Sequence, residues 1–141
     1  MIRSADDILG PPCLPELLAQ GAPAAYRAQR EAYPDDNPKT VLGEAKAKIS
    51  DTPTVSIQAL GQVHTHGAAK YGRFNWREHT VSASVYYDAA FRHLADWFDG
   101  EDTDPESGLP HLAHVMACAS IILDAGANGK LNDNRPTKKE G

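Results

Sequence analysis

The stretch RHLADWFDGEDTDPESGLPHLAH, residues 92–114, is the most informative part of this sequence. It predicts the end of one helix, an acidic loop and the start of a second helix, because Gly100 interrupts the first helical pattern. His111 and His114 stand three residues apart, so a helix places both on one face. His93 lies near the end of the preceding helix, within reach of the same loop. Imidazoles and carboxylates bind divalent cations, and a cation between antiparallel helices is typical of catalytic helical bundles.

The alternative interpretation of this cluster is structural. A single histidine is more often a satisfied core or surface residue than a ligand, and an acidic loop after a helix is usually a solvated turn. The clustering of three imidazoles with several carboxylates favours a metal site over that alternative.

Composition bounds the class of protein. The chain has 141 residues and a formal charge of −5, and its isoelectric point is about 5.6. This length suits one domain, and the acidic balance argues against a generic binder of nucleic acid or of anionic membranes. We find no signal peptide, no membrane-length apolar run and no disulfide framework, so we expect a cytoplasmic protein.

The two ends of the chain differ in character from its middle. Residues 1–53 contain seven prolines and predict an irregular arm, in which short helices fit only at Glu16–Gln20 and Ala24–Ala32. Residues 130–141 predict a polar tail. Residues 54–129 between them predict the helical catalytic domain.

Three main helices are expected in that domain. The first starts near Thr54 or Ser56, the second near Thr80–Ser82 and the third near Ser107–Pro110, where Ser107 suits a cap. No alternating pattern of a strand is present, so the fold class is all-α. Three helices give one subunit a thin core, which predicts a homo-oligomer, a dimer or a tetramer.

The segment GAAKYGRFNWR, residues 67–77, offers the complement of a metal site. Its lysine and arginines neutralise phosphate oxygens, and its aromatic rings stack on a planar base. Asn75 has a donor and an acceptor to read a base edge or fix a sugar. An inter-helix loop whose aromatic rings pack into the core is the equally supported alternative.

Taken in order, residues 67–77, RHLADW (92–97), GEDTDPESG (100–108) and HLAH (111–114) resemble the phage dATP/dGTP diphosphohydrolases, a MazG-like family of all-α nucleoside triphosphate pyrophosphohydrolases. The resemblance implies a MazG-like helical bundle. It also implies hydrolysis of a purine (deoxy)nucleoside triphosphate, dGTP, GTP or dATP, to the monophosphate and pyrophosphate in phage nucleotide metabolism, within the host cytoplasm. Within that family the chain resembles the enzymes of phages that replace adenine with 2-aminoadenine, which implies dGTP or GTP.

The chain departs from ordinary MazG enzymes, which hold Mg²⁺ with Glu-x-x-Glu and Glu-x-x-Asp. It has His93-x-x-Asp96 and His111-x-x-His114 in those registers. Histidine moves the preference of a site from Mg²⁺ towards Mn²⁺ or another borderline metal, so the predicted cofactor is Mn²⁺ or Mg²⁺. The predicted metal ligands are His93, Glu101, Asp104, His111 and His114. The predicted catalytic carboxylates are Glu101 and Asp104, and the predicted substrate-binding residues are Lys70, Asn75, Trp76, Arg77 and Arg92.

Two other classes of protein are weighed against this hypothesis. An HD-type phosphohydrolase requires a His-Asp dipeptide, which the sequence lacks. A non-enzymatic helical adaptor or assembly protein would use the histidines as a structural metal site, in which protein atoms fill every coordination position. Metal-dependent release of pyrophosphate separates these alternatives from the enzyme.

Overall fold

The computed structural model of the chain describes residues 37–44 and 46–136. The helices expected at Glu16–Gln20 and Ala24–Ala32 lie outside the described residues. Helix α1 (Pro38–Glu44) and a 3₁₀ helix (Ile49–Asp51) belong to one compact unit, and the elements from residue 53 onward belong to a second. Helix α1 falls within the segment predicted to be irregular, because Pro38 occupies the first helical position, where its missing N–H is not needed.

The second unit is mostly helical, as predicted. Its elements are α2 (Thr54–Tyr71), α3 (Asn75–Glu78), β1 (Val81–Ser82), α4 (Ala83–Phe98), α5 (His111–Ala127) and β2 (Leu131–Asn132). Helix α2 starts at Thr54, one of the two residues predicted near its start. It ends before Gly72, whose φ of 93° only glycine adopts without strain. None of the described helices is both long and apolar enough to cross a membrane.

A short parallel pair of strands contradicts the expectation that no strand is present. Val81 aligns with Leu131 and Ser82 with Asn132, and the Val81 N–H donates to the carbonyl of Lys130 at 2.9 Å. Strands of two residues are too short to produce an alternating pattern, so no sequence signal predicts them. The pair joins the start of α4 to the segment after α5, and the first residues of the predicted polar tail are therefore paired.

Helix α5 lies at the centre of this unit and packs against α2, α3 and α4. Val63 of α2 meets Ala113 and Ala117 of α5 in the buried core. The two alanines are one turn apart, and their small side chains let α2 approach closely. The largest fully buried side chain among the described residues is the polar His111, 1% exposed. The largest side chain in the buried interior of the unit is therefore a potential metal ligand.

The acidic loop between α4 and α5 folds back on itself. Thr103 and Pro110 form an antiparallel bridge, and the Asp104 N–H donates to the Leu109 carbonyl at 2.9 Å. Gly108, with a φ of 68°, makes the tight turn. Pro110 is the residue before the first helical residue of α5, and Ser107 lies within the loop, so the predicted Ser107 cap is wrong.

Candidate metal centre

Two helices and the loop joining them bring two imidazoles and a carboxylate together. His93 lies on α4, Asp104 lies in the acidic loop, and His111 is the first residue of α5. Each residue offers one ligand atom, and the three atoms lie within 4.8 Å of one another. These residues, the His93–Asp104–His111 triad, are three of the five predicted metal ligands.

The two imidazoles of the triad face each other through their Nδ1 atoms, which are 2.9 Å apart. Two nitrogens at this distance require either a proton between them or a shared cation. Metal–nitrogen bonds of about 2.0–2.1 Å at right angles place two ligand atoms about 3 Å apart. The spacing of His93 and His111 therefore fits neighbouring positions on one cation.

The second ring nitrogen of His111, Nε2, is placed as expected for a histidine that binds a cation through Nδ1. The Nε2 atom is buried and has no hydrogen-bond partner among the described residues. It lies 3.8 Å from Oε2 of Glu101, whose side chain is 52% exposed. A metal-bound histidine usually donates its other N–H to a carboxylate, and a small rotation of Glu101 would complete that bond. Glu101 is therefore placed to orient His111.

Ser107 fixes the carboxylate of the triad. Its backbone N–H and its hydroxyl donate to Oδ2 of Asp104 at 2.9 and 2.7 Å. The same hydroxyl oxygen lies 2.8 Å from Nε2 of His114. Because a hydroxyl has one hydrogen, which Asp104 receives, His114 donates from Nε2 to Ser107. His114 is therefore linked to the triad through Ser107, and its Nε2 is 3.8 Å from Asp104 Oδ2.

The environment favours the protonation states that bind a cation. Burial lowers the pKa of His93 and of His114 below the ordinary histidine value, and their rings stack at 4.4 Å. Burial alone would raise the pKa of Asp104, but the hydrogen bonds from Ser107 and the adjacent imidazoles outweigh it and lower that pKa. Neutral imidazoles and an ionised carboxylate are the forms that ligate metals.

Of the predicted substrate residues, Arg92 lies on a helix that builds the centre, and Lys70 of α2 contacts the loop of the centre. Arg92 is exposed and precedes His93 on α4. Lys70, near the end of α2, donates to Oε1 of Glu106 in the acidic loop at 2.6 Å. That ion pair is exposed on both sides, so exchanging its carboxylate for a phosphate costs little free energy.

The other predicted substrate residues lie elsewhere. Trp76 Nε1 and Arg77 Nε each donate to Oδ2 of Asp124 at 2.7 Å, and Arg77 also donates to Oδ1 at 2.8 Å. Asp124 lies 13 positions beyond His111 on α5, about 20 Å along the helix axis. Asn75 opens α3 beside them. The structure thus does not bring Trp76 and Arg77 together with the triad, and their binding of substrate stays a prediction.

Ser107 and Asp124 were missed at the level of sequence. Asp124 is the only charged residue within α5, and a lone carboxylate in an apolar helix is a usable signal for a buried or paired acid. Ser107 gave no such signal, because serine in an acidic loop is common and its role depends on how the loop folds back.

The fold and the centre define a mostly helical protein with a candidate metal site between two helices. The chain belongs to the dATP/dGTP diphosphohydrolase family, since the sequence profile of that family's N-terminal domain matches residues 36–135. This confirms the family resemblance, whereas the MazG-like arrangement stays a prediction. A dATP/dGTP diphosphohydrolase of Salmonella phage PMBT28 is 30% identical over 97 residues, 69% of this chain. The chain spans 31% of the length of that relative. No solved structure matches the chain.

Proposed function

We propose that this chain is a metal-dependent diphosphohydrolase of purine deoxynucleoside triphosphates, dGTP or dATP, that releases the monophosphate and pyrophosphate. The observation that carries the proposal is the convergence of His93, Asp104 and His111 in a member of the dATP/dGTP diphosphohydrolase family. This activity is named for the phage relative, and the three converging ligand groups support the same metal-dependent chemistry in this chain.

The centre fits a divalent cation. Its Nδ1 pair has the spacing of two ligands, and the buried Nε2 of His111 has a carboxylate within a small rotation. When bound, the cation neutralises phosphate oxygens and polarises water. Two imidazoles and one carboxylate support Mn²⁺ over Mg²⁺, which prefers oxygen ligands and keeps its waters.

The residues around the centre have separate roles in the proposed hydrolysis. Glu101 faces His111 Nε2 with Oε2, and its other carboxylate oxygen accepts the proton of the water that attacks the α-phosphorus. The bond from the α-phosphorus to the bridging oxygen breaks, and pyrophosphate leaves. Lys70 and Arg92 neutralise phosphate oxygens at this end of the molecule. Asp104 is held in place by Ser107.

The ligand count supports an enzyme over an adaptor. Among residues 37–44 and 46–136, the group that could hold a metal has three members. A structural site is closed by protein on every side, whereas three protein ligands leave positions for water and substrate.

A homo-oligomer is part of the proposal. Tyr87, Phe91, Leu94 and Phe98 of α4 follow the helical period along one face and are 66%, 60%, 44% and 81% exposed. A stripe of large apolar side chains on a subunit with a small core supports burial against a second copy.

Pyrophosphate release from dATP, dGTP and the pyrimidine deoxynucleotides, with Mn²⁺ and Mg²⁺ in turn, tests the function. We expect metal-dependent release from the purines and its loss in His111→Ala. The matched control is His79→Ala, because His79 is exposed beyond α3. Absence of turnover of every nucleotide with either metal would refute the proposal and favour the adaptor.

A further inference from the structure

An open cleft lies between α2 and the acidic loop. Its volume is about 910 Å³, and it is largely open to solvent, so a ligand there would be covered mainly on one side. The residues that define its chemistry are Gln58, Gln62, Thr65 and His66 of α2, with Ser107 and Leu109 of the loop. The α2 side of the cleft therefore combines four hydrogen-bonding side chains with Gly61 and Ala69, and the cleft surface is more apolar than polar.

Ser107 joins this cleft to the metal centre. It lines the cleft and also donates its hydroxyl to Oδ2 of Asp104 at 2.7 Å. The Lys70–Glu106 ion pair ties α2 to the loop beside Ser107. A ligand with its phosphates at Asp104 and Lys70 thus has the cleft as the adjoining space for the rest of the molecule.

The amides of Gln58 and Gln62 are the distinctive groups of the cleft. They are four residues apart, so they share one face of α2. Both residues are exposed, and neither side chain makes a hydrogen bond within the part of the chain that the structure describes. A primary amide has donors and an acceptor side by side, and a half-turn about its terminal bond reverses their order.

We infer that this cleft binds the purine base of the substrate and that Gln58 and Gln62 read its edge, an inference that rests on the proposed diphosphohydrolase. Adenine presents a donor and an acceptor at N6 and N7, which an amide matches with two bonds. Guanine presents an acceptor at O6 beside a donor at N1, which the same amide matches after a half-turn. The two glutamines therefore admit both purines.

Replacing each amide by a carboxylate tests this inference. Gln58→Glu and Gln62→Glu create groups that only accept, which suit the N1 and N2 donors of guanine but repel the ring nitrogens of adenine. Binding of dGMP and of dAMP is measured by calorimetry with Mn²⁺, and the preference for dGMP should rise about tenfold in at least one variant. Thr80→Glu, an exposed position outside the cleft, adds the same charge as a control.

A rise in the guanine preference above that of the control, in either variant, supports the base subsite. An unchanged preference in both variants, or a shift towards adenine, overturns it. Monophosphate binding needs no hydrolysis, so this result is separate from the pyrophosphate assay. A changed preference between dGMP and dAMP without triphosphate turnover would support the base subsite and refute the proposed hydrolase. Turnover with an unchanged preference would support the hydrolase and refute the base subsite. Circular dichroism confirms folding of each variant.

Discussion

Replacing Ser107 by alanine should weaken metal binding while leaving all three triad residues in place. Asp104 keeps the bond from the backbone N–H at position 107 but loses the bond from the hydroxyl, 2.7 Å long in the wild type. His114 loses its partner at 2.8 Å. The carboxylate then rotates more freely, and part of the binding free energy is spent on ordering it.

The expected loss of metal affinity in Ser107→Ala can be estimated in two ways. Removing a group that orients a ligand typically lowers metal affinity by about 10- to 100-fold, or about 1.4–2.8 kcal/mol. A hydrogen bond to a charged group is worth about 1.5–3 kcal/mol. Both routes give the same range, so we expect the Mn²⁺ dissociation constant of Ser107→Ala to rise by one to two orders of magnitude.

Competition with a fluorescent chelator measures this dissociation constant, and thermal unfolding without metal checks the fold. Ser107→Thr is the matched control, because threonine keeps the hydroxyl and should retain most of the affinity. Equal Mn²⁺ affinity in Ser107→Ala and wild type would show that Asp104 is not a ligand held by Ser107, and the assignment of the triad would fall with it.

Three further predictions concern other parts of the molecule. The hydrogen bonds of Arg77, with that of Trp76, lower the pKa of Asp124 despite its partial burial. The stability that these bonds contribute is complete above the ordinary carboxyl pKa. It is lost as the pH falls through the lower pKa of Asp124 in the folded protein. Urea unfolding of Asp124→Asn should therefore show a flatter loss of stability on the acid side, and a slope equal to that of the wild type would contradict the pairing. Lys70→Ala should raise the Michaelis constant more than Arg77→Ala does, because Arg77 is paired with Asp124 away from the triad. Equal effects in steady-state kinetics would contradict the placement of the substrate phosphates beside Lys70. Mn²⁺ should support pyrophosphate release at least as well as Mg²⁺, and a strict requirement for Mg²⁺ would place the histidines outside the coordination shell.

The helices of residues 53–136 were predictable because their signals are local. Gly72 and Gly100 end helices through backbone conformations that other residues avoid. The strand pair was not predictable, because its two short partners are 50 positions apart in sequence and carry no periodic pattern. The helical segment Asn75–Glu78 was expected as a loop, since a single turn is too short to show a helical period.

The sequence predicts which residue types could bind a metal, but not which of the histidines belong to the triad and which lie beside it. Spacing alone placed His111 and His114 on one face and made them equivalent. The fold distinguishes them, because the acidic loop turns back and sets Ser107 between His114 and Asp104. The distance between Arg77 and the triad likewise depends on how α3 docks on α5, which a sequence motif does not encode.

The parallel strand pair limits how far α4 and α5 can move apart at the metal centre. Helices α4 and α5 are joined by the acidic loop at one end and by β1 and β2 at the other, so the helical hairpin is a closed frame. His93 lies 12 positions from Val81, about 18 Å along the helix. If the helices pivoted at the strands, a splay of a few degrees would separate the two imidazoles by about 1–2 Å over that length. Closing the frame at both ends suppresses this hinge and keeps the nitrogen pair preorganised.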